Sequence, residues 1–287
     1  MPLSPLIDAH TLAPLLGSPA IALLDCRFDL AAPEAGRRAY LAGHIPGAHY
    51  ADLERDLSAP ISASSGRHPL PDREQVAAWL RRLGILPGVR VIAYDQANAA
   101  IAARAWWLLR WVGHREVSIL DGGFNAWVAA GGALEAGERP MGPAQPAPTE
   151  APGPPACEAV IDAPALMRAL AAPRALLVDA RAPERFSGAV EPIDPVAGHV
   201  PGAVNHPFQS NLAADGRFLP VDELARRWRE RLDGRSPADL IMMCGSGVTA
   251  CQNLLAMDIA GLPGARLYAG SWSEWIRDPH RPVARGA

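Results

Sequence analysis

Leu240-Ile-Met-Met-Cys-Gly-Ser-Gly-Val-Thr-Ala-Cys-Gln-Asn-Leu-Leu-Ala-Met-Asp-Ile-Ala260 carries the reading of the fold. An apolar run of strand length ends at Cys244, a Gly-Ser-Gly triplet turns the chain, and a helix-like stretch starts at about Val248. Strand, glycine loop and helix in that order form the joint of an α/β protein, and ligand sites in such sheets lie at the carboxyl ends of strands. Gly245 and Gly247 permit a tight loop with inward-pointing backbone N–H groups. Together with the helix N-terminus such a loop stabilises an anion at its centre. A thiolate of Cys244 is an anion of this kind, and the thiolate is the nucleophilic form of cysteine.

The same texture extends outward. Ile21–Leu24, Val89–Ala93, Ala175–Val178 and Leu240–Met243 read as short buried strands; Asp72–Leu83 and Asp222–Leu232 have apolar residues at helical spacing. Alternating elements of this kind predict an α/β fold with a mostly parallel sheet flanked by helices. The halves also repeat each other. Leu-Leu-Asp-Cys-Arg at 23–27 returns as Leu-Val-Asp-Ala-Arg at 177–181, and Gly-His-Ile-Pro-Gly-Ala at 43–48 returns as Gly-His-Val-Pro-Gly-Ala at 198–203. Val-Ile-Ala-Tyr-Asp at 91–95 faces Ile-Met-Met-Cys at 241–244, and Gly-Gly-Phe-Asn-Ala-Trp at 122–127 faces Ala-Gly-Ser-Trp-Ser-Glu-Trp at 269–275. Four blocks in one order, offset by roughly 150 residues, mark a tandem duplication. Between the copies, Glu138–Pro155 contains seven prolines, which excludes core helix or strand. The predicted organisation is a domain over 1–138, a linker over 139–158 and a domain over 159–287. Asp95 stands in the first copy where Cys244 stands in the second.

Composition narrows the function. The net charge is −3 without a basic block, so neither nucleic acid nor an anionic membrane is an expected partner. All 27 basic residues are arginine, which excludes Schiff-base chemistry and a lysine-bearing phosphate loop. No apolar run reaches the ~18–20 residues of a membrane span, and the start MPLSPLIDAH lacks the pattern of a secretory signal, so a cytoplasmic protein is expected. Cys26, Cys157, Cys244 and Cys251 form no C-x-x-C pair and read as free thiols. No metal-ligand spacing and no cofactor fingerprint occur, so no metal and no cofactor are expected. A cysteine phosphatase needs an arginine six residues after its nucleophile to hold phosphate bidentately; Ala250 stands there.

On these residues the chain resembles the two-domain rhodanese sulfurtransferases over nearly its whole length. Tyr40–Ala48 resembles the family's N-terminal signature, and Ala265–Trp275 its C-terminal one. The resemblance implies two rhodanese-like domains, an active site in the second and a first copy that is catalytically inert. Cys-Gly-Ser-Gly-Val-Thr is similar to the loop of the 3-mercaptopyruvate sulfurtransferase branch. In thiosulfate rhodaneses two bulky basic residues usually follow the cysteine, whereas Gly245 and Ser246 are neutral. The resemblance then implies a Cys244 persulfide cradled by the amides of Gly245, Gly247, Val248 and Thr249. The implied partners are a small sulfur donor, 3-mercaptopyruvate being favoured, and a thiol, cyanide or thioredoxin acceptor. It assigns the donor's carboxylate to Arg185, and a Ser–His–Asp relay to Ser246, His68 and Asp56, with Asp52 close by. The second arginine usual before the Gly-His-Val-Pro-Gly segment is missing from 191–197. A thiosulfate:cyanide sulfurtransferase and a non-catalytic persulfide carrier are the alternatives. His44 and His199 recur in both copies and read as structural; Trp272 and Trp275 read as packing residues.

Overall fold

The computed structural model describes residues 4–139 and 159–286, so the expected linker lies outside the described residues from position 140 on. Two compact units result. The first takes the chain to Ala59, resumes at Pro71 through the rest of the N-terminal half, and adds Ala213–Phe218. The second comprises Pro60–Leu70, the C-terminal half to Leu212, and everything from Leu219 onward. Two short segments therefore belong with the copy opposite to their place in sequence. Within the second unit the Arg67 N–H donates to Ser273 Oγ at 2.9 Å, and Gly66 lies so close to the Gly270 carbonyl that a Cβ would crowd it. Within the first unit the Phe218 N–H donates to Asp121 Oδ1 at 2.9 Å.

Among the described residues the first unit holds β1 (Leu6–Ile7), α1 (Ala9–Leu12), β2 (Ile21–Asp25), α2 (Glu34–Ala42), β3 (Ala48–Tyr50), α3 (Arg73–Arg82), β4 (Arg90–Tyr94), α4 (Ala102–Trp111), β5 (Val117–Leu120) and α5 (Gly123–Ala129). Its strands are parallel in the order β1-β5-β4-β2-β3, with Leu23 opposite Ile92. The core strand β5 is buried at every position, as a strand covered on both faces must be. Helix α3 starts where Asp72 accepts the Glu74 N–H and Gln75 reaches back to the Asp72 N–H, a reciprocal cap.

The second unit holds α6 (Ala163–Leu170), β6 (Leu176–Asp179), α7 (Pro183–Ser187), β7 (Val204–Asn205), α8 (Val221–Leu232), β8 (Leu240–Met243), α9 (Ala250–Ile259), β9 (Arg266–Leu267) and α10 (Ser271–Trp275). Its parallel order is β7-β6-β8-β9, with Val178 opposite Met242. Helix α8 buries Leu224, Ala225, Trp228 and Leu232 on one stripe, while Glu223, Arg226 and Glu230 pair on its outer side. Helix α9 is buried on all sides, so its polar residues need internal partners: Asn211 Nδ2 donates to Gln252 Oε1 and Asn253 Oδ1.

The duplication shows in its polar anchors. The Arg27 guanidinium grips Asp25 and donates to the Gly43 carbonyl; Arg181 grips Asp179 and donates to the Gly198 carbonyl. His44 Nδ1 bonds the Tyr40 carbonyl and its ring stacks on Tyr40 at 4.0 Å; His199 Nδ1 bonds the Phe186 carbonyl and stacks on Phe186 at 3.9 Å. Both histidines are structural, as their recurrence implies. Trp272 and Trp275 are buried and their ring N–H groups donate to the Val196 and Pro282 carbonyls, which fits packing. Among the described residues no helix is long and apolar enough to cross a membrane.

Candidate functional site

Strand order places the site. From β6 the chain crosses to β7 on one side and later to β8 on the other, so the loops after β6 and β8 open side by side at the carboxyl edge. Arg185 follows β6 on α7, and Cys244 follows β8 directly.

Cys244 is 2% exposed, and its Sγ accepts the Gly247 N–H at 3.1 Å. Gly247 adopts φ +77°, and a Cβ there would overlap the Ala269 carbonyl, so this position admits only glycine without rearrangement. The backbone of Cys244 is clamped from the other side. Its N–H donates to Ser271 Oγ at 3.0 Å, Ser271 Oγ donates to the Tyr268 carbonyl at 2.9 Å, and the Cys244 carbonyl accepts the Trp272 N–H at 3.0 Å. Fully buried Ser271 itself sits at φ +53°, a conformation non-glycine residues avoid. The loop thus presents a buried sulfur to an inward-pointing amide at the start of a helix, which is what a thiolate or persulfide anion requires.

Arg185 reaches this loop, and so does Arg67. A Cβ on Gly245 would lie 3.2 Å from Arg67 Nη2 and 3.4 Å from Arg185 Nη1. Two buried carboxylates hold the arginines: Arg185 pairs with Glu191 and with Asp194 Oδ2, and Arg67 Nη1 pairs with Asp194 Oδ1 at 2.6 Å. Burial pushes the Glu191 carboxyl up, but the hydrogen bonds from Arg185 and from the Asp194 and Ile193 amides outweigh it and leave it below its ordinary value.

His68 Nδ1 lies 2.7 Å from Ser246 Oγ, and both side chains are buried. Two members of the expected relay therefore meet. Asp56 belongs to the first unit, where its carboxylate accepts the Asp52 N–H at 2.9 Å while its own N–H donates to the Asp52 carbonyl. Burial pushes its pKa up. Asp52 in turn accepts the Glu54 and Arg55 amides, so both carboxylates shape one local turn.

Asp95 occupies in the first unit the place that Cys244 has in the second. Its carboxylate accepts four amides, from Ala97, Ala99, Ile101 and Ala102. Its carbonyl accepts the Phe124 N–H as the Cys244 carbonyl accepts that of Trp272. Burial pushes its pKa up, against the pull of those amides. The anion-holding loop is preserved there, filled by a fixed carboxylate that cannot carry sulfur.

The remaining thiols stand apart from this chemistry. Cys26 is buried directly after β2, and burial pushes its thiol well above the ordinary range, with Asp25, Asp95 and Asp56 adding to the effect. Cys251 Sγ bonds the Gly247 carbonyl at 3.4 Å. Cys157 lies outside the described residues. Sequence reading missed Arg67 and Ser271 as site residues. Ser271 lies in the repeated Ala-Gly-Ser-Trp block, which was a usable signal; Arg67 had none beyond its neighbour His68.

Known proteins with this architecture match closely. The model of the rhodanese-like domain matches residues 8–130 and 162–278. A Pseudomonas aeruginosa protein named "Probable 3-mercaptopyruvate sulfurtransferase" is 52% identical over 283 residues, 98% of each chain. The thiosulfate sulfurtransferase of Gallus gallus is 36% identical over 251 residues, 84% of this chain and 81% of that one. The crystal structure of SseA from Escherichia coli, described among 3-mercaptopyruvate sulfotransferases, superposes with a TM-score of 0.76 at 35% identity, covering 94% of this chain and 100% of the other.

Proposed function

The chain belongs to the rhodanese family and is a sulfurtransferase, and we propose that it takes sulfur from 3-mercaptopyruvate onto Cys244 and hands it to a thiol, cyanide or a thioredoxin-type dithiol. The Cys244 thiolate attacks the donor's sulfur. An S–S bond forms, the donor's C–S bond breaks, and its electron pair leaves on carbon as the enolate of pyruvate. The enolate takes a proton, balanced by the proton the donor's thiol gives up, and an anionic persulfide remains on Cys244. The Gly247 N–H, already 3.1 Å from Sγ, supports this charge together with the neighbouring loop amides. The acceptor then attacks the outer sulfur and releases the thiolate. No step requires a metal or an organic cofactor.

The observation that carries this reading is the His68–Ser246 hydrogen bond beside the nucleophile's loop. A hydroxyl held by an imidazole can deliver a proton to a departing enolate. Sulfite leaving thiosulfate has no such need. Asp56 remains the sequence-based candidate for orienting His68, although its own turn already accounts for its hydrogen bond. Thiosulfate as donor is the second reading, and the two guanidiniums at Gly245 favour it. The test is kcat/KM for the two donors with cyanide as acceptor. Mercaptopyruvate is expected to be the better donor, and a clear preference for thiosulfate would overturn the donor assignment while leaving sulfur transfer in place.

A further inference from the structure

A cavity of about 590 Å³ opens on the second unit between the edge strand β7 and α8, and no residue of the Cys244 loop lines it. Arg227, Arg231 and Arg235 line it, half-buried and spaced four residues apart. Each guanidinium is held by a main-chain carbonyl. Arg227 Nη1 donates to that of Ser210 at 2.8 Å, Arg231 Nη2 to that of Asn205 at 3.2 Å, and Arg235 Nε to that of Arg174 at 3.2 Å. Neutral carbonyls fix the arginines without cancelling their charge. Acids compensate only part of it. Glu223 pairs with Arg226 as well as with Arg227, Glu230 pairs with Arg226, and exposed Asp233 stands 3.6 Å from Arg235. Among the described residues no carboxylate pairs with Arg231, and nothing accepts from its Nε or Nη1, or from Nη2 of Arg227 and of Arg235. His206, only 6% exposed, belongs to the same walls. Burial pushes its pKa down to about 4, with Arg231 and Arg227 adding to the effect against the Asn211 hydrogen bond, so the charge of these arginines is felt at the cavity wall.

We propose that this cavity binds a small molecule carrying two linked phosphoryl groups, with Arg231 at the centre of the site. The site is separate from the sulfur-transfer chemistry and does not depend on the donor. Arg227 and Arg231 stand one helical turn apart on α8, ~6 Å along its axis. Together with Arg235 they present more N–H donors than one carboxylate can accept, and they suit a group with several anionic oxygens. The uncompensated charge of Arg231 adds a net field, from which a polyanion gains most. Leu176 and Pro207 also line the cavity and offer apolar contact to the body of such a molecule.

The experiment titrates the full chain with inorganic pyrophosphate at constant ionic strength, read by calorimetry and by NMR of the arginine Nε–H and histidine ring resonances. The wild type should bind one pyrophosphate saturably in the millimolar range or below and acetate far more weakly. The signals of Arg231 and His206 should shift as it binds. Arg231→Gln should weaken pyrophosphate binding about tenfold or more while leaving the rate of sulfur transfer to cyanide unchanged. Arg231→Lys keeps the charge but loses the fork, so it should weaken binding less than Gln does, and it carries the test if the Gln protein does not fold. No saturable binding to the wild type would overturn the site, as would binding that neither variant weakens. Acetate bound as tightly as pyrophosphate would overturn the phosphoryl assignment. Shifts confined to the amides of Gly245–Thr249 would place the anion at the nucleophile's loop and overturn the proposal.

Discussion

His68 Nδ1 and Ser246 Oγ share a 2.7 Å hydrogen bond across 178 positions of sequence. The serine is bound to the nucleophile's loop and the histidine to the segment Pro60–Leu70, so the pair joins two parts of the second unit that no local rule connects. If this pair delivers the proton that pyruvate's enolate needs, its loss should be donor-specific. Ser246→Ala and His68→Gln should each lower kcat for mercaptopyruvate by about 10²-fold, in the range of general acid catalysis, and affect thiosulfate far less. Parallel losses on both donors would mean that the pair only shapes the loop.

Cys244→Ser should abolish persulfide formation and turnover, while Cys251→Ser should retain both. Intact-protein mass after donor treatment reads the result directly. A stable added sulfur on the Cys244→Ser protein would place the nucleophile elsewhere.

The strands and the duplication were legible because buried parallel strands must be short apolar runs and because the anchor motifs Asp-x-Arg and Gly-His-x-Pro-Gly recur. Cys244 stood out as the candidate nucleophile because it lies between an apolar strand and a glycine loop, and the structure sets its buried Sγ 3.1 Å from the Gly247 N–H. His68 and Ser246 were named through the resemblance and lie 2.7 Å apart, whereas the ion-pair partners of Arg185 had no signal. Arg67 pairs with Asp194 across 127 positions, and its loop has neither period nor cap to reveal a partner. The segment 191–197 read only as one without an arginine, yet its Glu191 and Asp194 are the acids that hold Arg185 and Arg67 in place. The hydrogen bond that the Asp56 carboxylate accepts from the Asp52 N–H is a local turn contact that the sequence did not announce. The exchange of Pro60–Leu70 and Ala213–Phe218 between the units depends on close backbone approach and single hydrogen bonds, which leave no compositional trace.

Asp95→Ala should destabilise the protein without touching the nucleophile. Four amide donors lose their shared acceptor, and a buried donor left unpaired costs about 1–3 kcal/mol, partly recovered by water. A loss above about 2 kcal/mol in urea unfolding is expected. A change below about 0.5 kcal/mol would show that this loop does not depend on its carboxylate.

Ser271 combines a hydrogen bond under Cys244 with left-handed backbone strain. Ser271→Ala removes the hydroxyl and keeps the strain, whereas Ser271→Gly removes both. The glycine protein should therefore be the more stable of the two by about 1 kcal/mol, the reverse of the usual order in a helix. Both should form the persulfide more slowly, because the Cys244 N–H loses its acceptor. An alanine protein more stable than the glycine one would remove the strain argument.

Acid should weaken the fold through two buried histidines. Burial, aided by Arg139, lowers the His49 pKa to about 4. Burial likewise lowers that of His206 to about 4, with Arg231 and Arg227 adding to the effect and the Asn211 hydrogen bond opposing it. The His206 ring lies tilted against Trp228 at 4.3 Å and Nε2 meets Asn211 Oδ1 at 3.2 Å, so the buried ring belongs to the polar network that Asn211 makes with α9. Both folded values lie below the ordinary 6.5. Between about 6.5 and 4 the unfolded chain binds the protons that the folded chain refuses. This contribution is complete above the unfolded value and is lost as pH falls toward the folded one, with a slope of at most about 1.4 kcal/mol per pH unit for each histidine. Urea unfolding at pH 7.5, 6 and 5 should show falling stability. His206→Gln keeps a donor for Asn211 and removes the titration, so it should lower stability at pH 7.5 yet flatten the decline toward pH 5. An unchanged slope in that variant would show that His206 does not set the acid sensitivity of the fold.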